Sequence, residues 1–104
     1  MQRMAFLMRI KPGTEAEYTR RHQQVWPEMQ AELRAAGAHN YSIFRDGLNL
    51  FAYLEVDDLD RYRAYLAQSE VANRWETYMS DILVREVENE TSFPPLLTEA
   101  FHLD

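Results

Sequence analysis

The run of residues 48–56 constrains the fold most, because apolar side chains occupy every second position in it. Leu48, Leu50, Ala52, Leu54 and Val56 share one side, and Asn49, Phe51, Tyr53 and Glu55 share the other. A period of two is that of a β-strand. The preceding Asp-Gly pair at 46–47 best supplies the positive φ angles of a two-residue type I′ turn. We therefore predict a hairpin of strands at 40–45 and 48–56.

A further strand and the start of a helix are predicted near the N-terminus. Residues 4–10 are mostly apolar, and the Pro-Gly pair at 12–13 ends the strand. Thr14 with Glu17 three residues later has the spacing of a capping box. A first helix is therefore expected from about Glu15.

The remaining helix boundaries follow from proline, glycine and capping residues. Pro27 lacks the amide needed for the helical hydrogen bond, so the first helix should kink or restart there. Gly37 is a suitable C-terminal cap, so this helical region should end before Ala38. Asp57-Asp58 predicts a cap for a short helix to about residue 67, and Ser69 one for a helix to about residue 83.

The order of the elements predicts an α+β fold of the ferredoxin-like βαββαβ type. Acidic residues and prolines at 86–95 indicate a loop, and residues 97–103 could form the last strand. Residues 1–104 then make a single domain. Aromatic side chains such as Phe51 and Tyr53 would be poorly placed in water on the far side of so small a sheet. A homodimer is the simplest way to cover them.

Composition restricts the partners of this chain. Its formal net charge is −6, its isoelectric point is about 5.0 and it contains no cysteine. An acidic chain with few clustered cations is a poor match for nucleic acid or an anionic membrane. No apolar run has the length of a signal peptide core or a membrane span. We therefore expect a cytoplasmic protein that binds neither nucleic acid nor membrane.

An imidazole interrupts the apolar stripe of the first helical region. Tyr18 and His22 are four residues apart, about 40° around a helix, so they share a face. The same face continues through Val25, Met29 and Leu33, where burial is expected. From the residues alone, a core histidine and a functional histidine are equally good explanations of His22.

Known metal and cofactor motifs are missing. His22, His39 and His102 fall in different predicted elements, with no pair at ligand spacing. Three glycines and no phosphate-binding motif argue against nucleotides, so neither metal nor cofactor is predicted. The imidazole, phenols and indoles suit a neutral ligand with hydroxyls and apolar faces, such as a sugar.

Four motifs in order resemble those of the L-rhamnose mutarotase family. They are EYTRRH at 17–22, VWPE at 25–28, GAHNY at 37–41 and RWETYMSD at 74–81. AFHL at 100–103 is also similar to the last strand of that family. The resemblance implies a dimeric α/β barrel that interconverts the α and β anomers of a 6-deoxy-hexose without a cofactor. Residues 87–93 depart from the family pattern, so L-fucose or another 6-deoxy sugar is also a possible substrate.

The resemblance also assigns roles to individual residues. His22 matches the proton donor of the family, and Tyr18 and Tyr41 match its sugar-binding tyrosines. Trp75 matches the first of two adjacent tryptophans that lie against the sugar, and Glu76 occupies the place of the second. Glu76 could bind a sugar hydroxyl, act as a base or face solvent. The base that partners His22 remains open between Tyr18, Tyr41, Glu76 and a bound water.

Two other functions remain compatible with such a fold. The same dimeric barrel hosts cofactor-free oxygenases, which would consume oxygen with an aromatic substrate. A non-catalytic sugar-binding module would bind ligand without accelerating anomer exchange.

Overall fold

Four antiparallel strands form one sheet in the order β2-β3-β1-β4, and four helices pack on one of its faces. The computed structural model describes residues 1–84 and 94–104. Its strands are β1 (Gln2–Ile10), β2 (Ala38–Asp46), β3 (Asn49–Val56) and β4 (Leu83–Val84). Its helices are α1 (Glu15–His22), α2 (Pro27–Ala35), α3 (Leu59–Gln68) and α4 (Glu70–Met79). This is the predicted α+β, ferredoxin-like order, with each helical region divided in two.

The β2–β3 hairpin confirms the alternation and corrects the turn. Leu50, Ala52, Leu54 and Val56 are all at most 2% exposed on the helix side of the sheet. Asp46 pairs with Asn49, so Gly47 and Leu48 form the two-residue loop. Gly47 has a φ of 60°, whereas Asp46 and Leu48 do not have positive φ. The type I′ prediction is wrong, because Asp46 extends β2 and only the first loop residue is left-handed.

The boundaries of α1 and α2 are as predicted, but the capping box at Thr14 is not formed. α1 begins at Glu15, α2 restarts at Pro27, and Gly37 follows with a φ of 95°. The Thr14 hydroxyl donates to the Lys11 carbonyl and caps no helix amide. Glu17 is bound by two arginines of its own helix, and these stronger charged partners hold its carboxylate away from the cap.

Ser69 ends α3 and begins α4, and its hydroxyl accepts a hydrogen bond from the amide of Ala72. Asp58 caps α3 through the amide of Arg61, as predicted. α4, however, stops at Met79, short of the predicted end near residue 83. The Lys11 amide donates to the Ile82 carbonyl, and Leu83–Val84 then pairs with β1 as β4. For Leu83–Val84, pairing with the edge of β1 is therefore more favourable than a longer α4.

The C-terminal residues do not form the predicted last strand. The fourth strand is Leu83–Val84. Among the described residues, the backbone of the tail meets β1 at the Phe6–Leu96 bridge and the Leu97 amide, and Glu99 forms an ion pair with Arg3 of β1. Beyond that point Phe101 is 81% exposed and Leu103 is 80% exposed, so burial does not hold the tail in a strand. The loop predicted at 86–95 lies largely outside the described residues.

Two clusters of buried side chains fill the space between sheet and helices. One packs β1 and β3 against α3 and the end of α2, and the other packs them against α1 and the end of α4. Met8 and Ile43 are only partly buried and touch both clusters. A cavity can therefore open between the clusters with these two side chains at its floor. Among the described residues, no helix is long and apolar enough to cross a membrane.

Candidate active site

The main cavity, of about 1420 Å³ in all, is lined by the helices, by the inner face of β2 and also by Leu7 and Phe51 from the opposite face of the sheet. Its walls include Tyr18 and His22 from α1, Tyr41 from β2, and Trp75 and Glu76 from α4. Small-molecule pockets usually have volumes of about 300–1,000 Å³, so a monosaccharide fits easily. Among the described residues, no group of three or more His, Asp or Glu side chains could hold a metal ion.

His22 is held in one orientation at the end of α1. Its Nδ1 lies 3.1 Å from the carbonyl oxygen of Tyr18, one turn earlier. The imidazole also stacks on the Tyr18 ring, with centroids 4.1 Å apart, and receives the edge of Trp75 at 5.6 Å. Burial lowers the pKa of His22, and the hydrogen bond to the Tyr18 carbonyl opposes this shift in part. The neutral imidazole is therefore favoured near pH 7.

Three phenols converge on the cavity. The Tyr18 side chain is buried, and its hydroxyl has no hydrogen-bond partner among the described residues. Burial raises the pKa of Tyr41 to about 12. Burial and then the nearby Tyr41 raise the pKa of both Tyr18 and Tyr62, while Arg45 acts in the opposite direction on Tyr18. All three phenols therefore remain protonated at working pH and can donate hydrogen bonds.

α4 contributes an indole and a carboxylate side by side. Trp75 is half-buried and packs edge-on against both His22 and Trp26. Glu76 is also half-buried, and Ala72 and Met79 line the same cavity one turn before and after these two residues. Glu76 is the only carboxylate among the described residues that line the cavity.

Arg21 joins the helix of His22 to the helix of Trp75. Its guanidinium donates to Glu17 at 2.8 Å, to the Tyr78 carbonyl at 2.8 Å and to Asp81 at 2.9 and 3.2 Å. It also lies 4.4 Å from the centre of the Tyr78 ring. Only 9% of the Arg21 side chain is exposed. This contact therefore fixes the distance between two walls of the cavity.

Comparison with known proteins identifies the family of this chain. The sequence model for L-rhamnose mutarotase matches residues 3–103. An L-rhamnose mutarotase of Tolumonas auensis is 42% identical, over 99% of both chains. The chain belongs to the L-rhamnose mutarotase family.

Solved structures agree with the family assignment and with the fold. The crystal structure of an L-rhamnose mutarotase from Formosa agariphila matches with a TM-score of 0.80 and 33% identity, covering 100% of both chains. Tetracenomycin F2 cyclase from Streptomyces glaucescens also covers 100% of both chains, with a TM-score of 0.62 and 16% identity. At that identity the cyclase supports only the shared fold.

All five predicted site residues of this mutarotase family member line one cavity. Sequence reasoning identified Tyr62 only as an inward-facing residue of α3 and did not identify Arg45. Tyr62 is 3% exposed and contributes to the core as well as the cavity wall. Arg45 could have been found by period-two alternation from Tyr41, because both point to the inner face of β2. His39 pairs with Asp57 near the surface.

Proposed function

We propose that this chain interconverts the α and β anomers of L-rhamnose or a closely related 6-deoxy-hexose. The observation that carries the proposal is a buried Tyr18 hydroxyl without a hydrogen-bond partner in the described part of the chain, next to an oriented His22 imidazole in one cavity. Family membership favours this reaction over the cofactor-free oxygenase and the non-catalytic sugar-binding module.

His22 is the proton donor in this proposal. Ring opening requires a proton on the ring oxygen of the sugar and loss of the proton from the anomeric hydroxyl. An oriented acid or base contributes about 10²–10⁴-fold, which is useful for a reaction that already proceeds slowly in water. The ordinary pKa of histidine, near 6.5, suits proton transfer in both directions around neutrality.

Tyr18 and Tyr41 bind sugar oxygens in this proposal. Their phenols remain protonated because burial raises the pKa of both groups. A buried hydroxyl without a partner is costly, so a sugar oxygen that accepts from Tyr18 would recover a lost hydrogen bond. The two tyrosines come from different elements, α1 and β2, so each can bind a different oxygen of the sugar.

Trp75 and Glu76 complete the proposed sugar site from α4. The half-buried indole offers an apolar surface for the C–H face of a pyranose. The adjacent carboxylate can accept hydrogen bonds from sugar hydroxyls, which an indole in the same place could not do. Glu76 therefore favours a sugar with a hydroxyl directed toward α4.

Anomer exchange measured by NMR saturation transfer tests the proposed function. L-rhamnose, L-fucose and other 6-deoxy sugars would be compared at equal concentration, with the buffer rate subtracted. We expect His22→Gln to lose about 10²-fold or more of the exchange rate while keeping its thermal transition. We expect Trp75→Ala to raise KM more than it lowers kcat. Exchange no faster than buffer for every sugar would reject the proposed function.

We further propose that two copies of the chain pack through the outer face of the sheet. Leu7, Phe51 and Phe44 lie in one row across β1, β3 and β2, with exposures of 45%, 44% and 66%. Such an exposed apolar row is unusual for a monomer and suits a second copy of the same surface.

Light scattering after size exclusion tests this dimer. Phe51→Asp is expected to give monomers. Tyr65→Ser alters an exposed aromatic on the helix side and should remain dimeric. A monomeric parent protein at micromolar concentration would reject the interface.

A further inference from the structure

One hydrogen bond determines which nitrogen of His22 can take part in proton transfer. The Tyr18 carbonyl, 3.1 Å from Nδ1, can only accept, so Nδ1 must carry the donated proton. The neutral ring then has its lone pair on Nε2. Nε2 has no hydrogen-bond partner among the described residues, and His22 lines the cavity. The resting imidazole therefore presents a proton acceptor to the cavity.

Packing restrains the ring from turning over and so keeps Nδ1 at the Tyr18 carbonyl. The Tyr18 ring lies against one side at an interplanar angle of 22°, and the Trp75 edge contacts it at 81°. A half-turn of the imidazole would bring a carbon atom toward the Tyr18 carbonyl and lose the hydrogen bond. The carbonyl is one turn earlier in the same helix, so its position is fixed by α1 itself.

The surroundings of His22 also favour its neutral form. Burial is the larger influence on its pKa and lowers it, and neither of the two causes is a charged side chain. The titratable and charged groups that share the cavity with the Tyr18–His22 pair come from every other helix and from two strands. They are Arg9 on β1, Arg34 on α2, His39, Tyr41 and Arg45 on β2, Tyr62 on α3 and Glu76 on α4.

We infer that Nε2 of His22 is both the base and the proton donor, taking the proton of the anomeric hydroxyl and returning it to the ring oxygen of the same sugar. This inference rests on the proposed mutarotase function. It explains how a resting imidazole without a transferable proton can act as a donor, and it makes a separate catalytic base unnecessary.

The proton and electron pairs balance within the sugar and one imidazole. The anomeric O–H bond breaks, its proton moves to Nε2, and a C=O bond forms at the anomeric carbon. The bond from this carbon to the ring oxygen breaks, and its electron pair stays on the ring oxygen. The imidazolium then protonates that oxygen and becomes neutral again. Rotation of the aldehyde followed by the reverse steps closes the ring on the other face.

Tyr18 assists this transfer through its hydroxyl. A hydrogen bond from the phenol stabilises negative charge on the ring oxygen before the imidazolium protonates it. The two oxygens that exchange the proton share the anomeric carbon, so a single nitrogen can reach both. Tyr18 thus orients His22 through its carbonyl and contacts the sugar through its hydroxyl.

The sign of the pH dependence tests the inference. The pKa of His22 would be measured by NMR in the full-length protein, with its signals identified by their loss in His22→Gln. A resting base predicts that kcat/KM increases about tenfold per pH unit below this pKa and is constant above it. A resting acid with a separate carboxylate base predicts that kcat/KM decreases as pH rises through the same pKa. The latter result would overturn the inference.

Two variants and a spectroscopic measurement separate this inference from the proposed function. In Glu76→Gln, KM should rise, and kcat/KM should still increase with pH up to the pKa of His22. Loss of this increase would assign the base to Glu76. His102→Gln changes an exposed histidine of the tail, so both the rate and the pH dependence of kcat/KM should stay the same. Imidazole ¹⁵N shifts should show the proton of neutral His22 on Nδ1, and a proton on Nε2 would overturn the inference even if no sugar is turned over.

Discussion

Replacing Arg21 with methionine is expected to destabilise the fold far more than the same change at its neighbour Arg20. Both guanidinium groups bind Glu17, but only Arg21 also binds the Tyr78 carbonyl and Asp81. The Arg21 side chain is 9% exposed, whereas that of Arg20 is 59% exposed. Methionine keeps much of the apolar stem and removes the donors, so the comparison isolates the polar contacts.

The magnitude follows from the number and exposure of these contacts. The charged donor to the Tyr78 carbonyl contributes about 1.5 kcal/mol. The contacts with Glu17 and Asp81 contribute about 0.5 kcal/mol each, because both carboxylates are partly exposed and screened. We expect Arg21→Met to lower the free energy of unfolding by about 2–3 kcal/mol and the melting temperature by about 10–20 °C. Arg20→Met should leave the free energy of unfolding nearly unchanged, because its contact with Glu17 is exposed and screened.

Urea unfolding followed by circular dichroism measures both variants. Protein concentration is kept equal throughout, because a dimer makes apparent stability concentration-dependent. Equal losses for the two variants, or a loss below about 1 kcal/mol for Arg21→Met, would refute the conclusion that Arg21 holds α1 against α4.

Three further predictions concern single groups. Tyr18→Phe should change the free energy of unfolding by less than about 1 kcal/mol, because the hydroxyl has no hydrogen-bond partner among residues 1–84 and 94–104, yet slow NMR anomer exchange about tenfold or more; a larger stability loss would contradict this. Ser69→Ala should lower the free energy of unfolding in urea by about 1–2 kcal/mol, because it removes the cap of α4. The control Ser80→Ala should lower it by less than about 0.5 kcal/mol. Hydrogen bonds from two arginines of α1 lower the pKa of Glu17 to about 2, so its stabilising effect, present above its ordinary pKa near 4.5, should be lost as pH falls from 4.5 toward 2. Glu17→Gln should reduce the pH dependence of stability in that window.

Most of the fold could be read from local patterns, and the errors arose where other groups compete for the same side chain or backbone. The alternation in β3, the restart at Pro27 and the cap at Ser69 depend on neighbouring residues and were predicted correctly. The capping box failed because arginines bind Glu17. The predicted end of α4 failed because Leu83–Val84 pairs with the edge of β1, an element more than 70 residues earlier in the chain.

The site was predictable to different degrees. The Tyr18–His22 pair is one helical turn, so its stacking followed from sequence spacing. Tyr41, Trp75 and Glu76 were identified only through the family resemblance, because spacing within one element does not say which elements meet. Tyr62 gave no sequence signal beyond that of an ordinary core tyrosine.

The sequence by itself determined β1, the β2–β3 hairpin and its buried face, the starts of the helices, and the placement of an imidazole one turn after a phenol. These features depend on side-chain periodicity and on residues within a few positions of each other. Only the tertiary structure decided that β2 and α4 complete the cavity and that the Tyr18 hydroxyl is buried with no hydrogen-bond partner among the residues that the structure describes. The orientation of the imidazole likewise depends on the Trp75 edge as well as on its own helix. Such relations need contacts between elements that are far apart in the chain, and packing of the whole domain sets them.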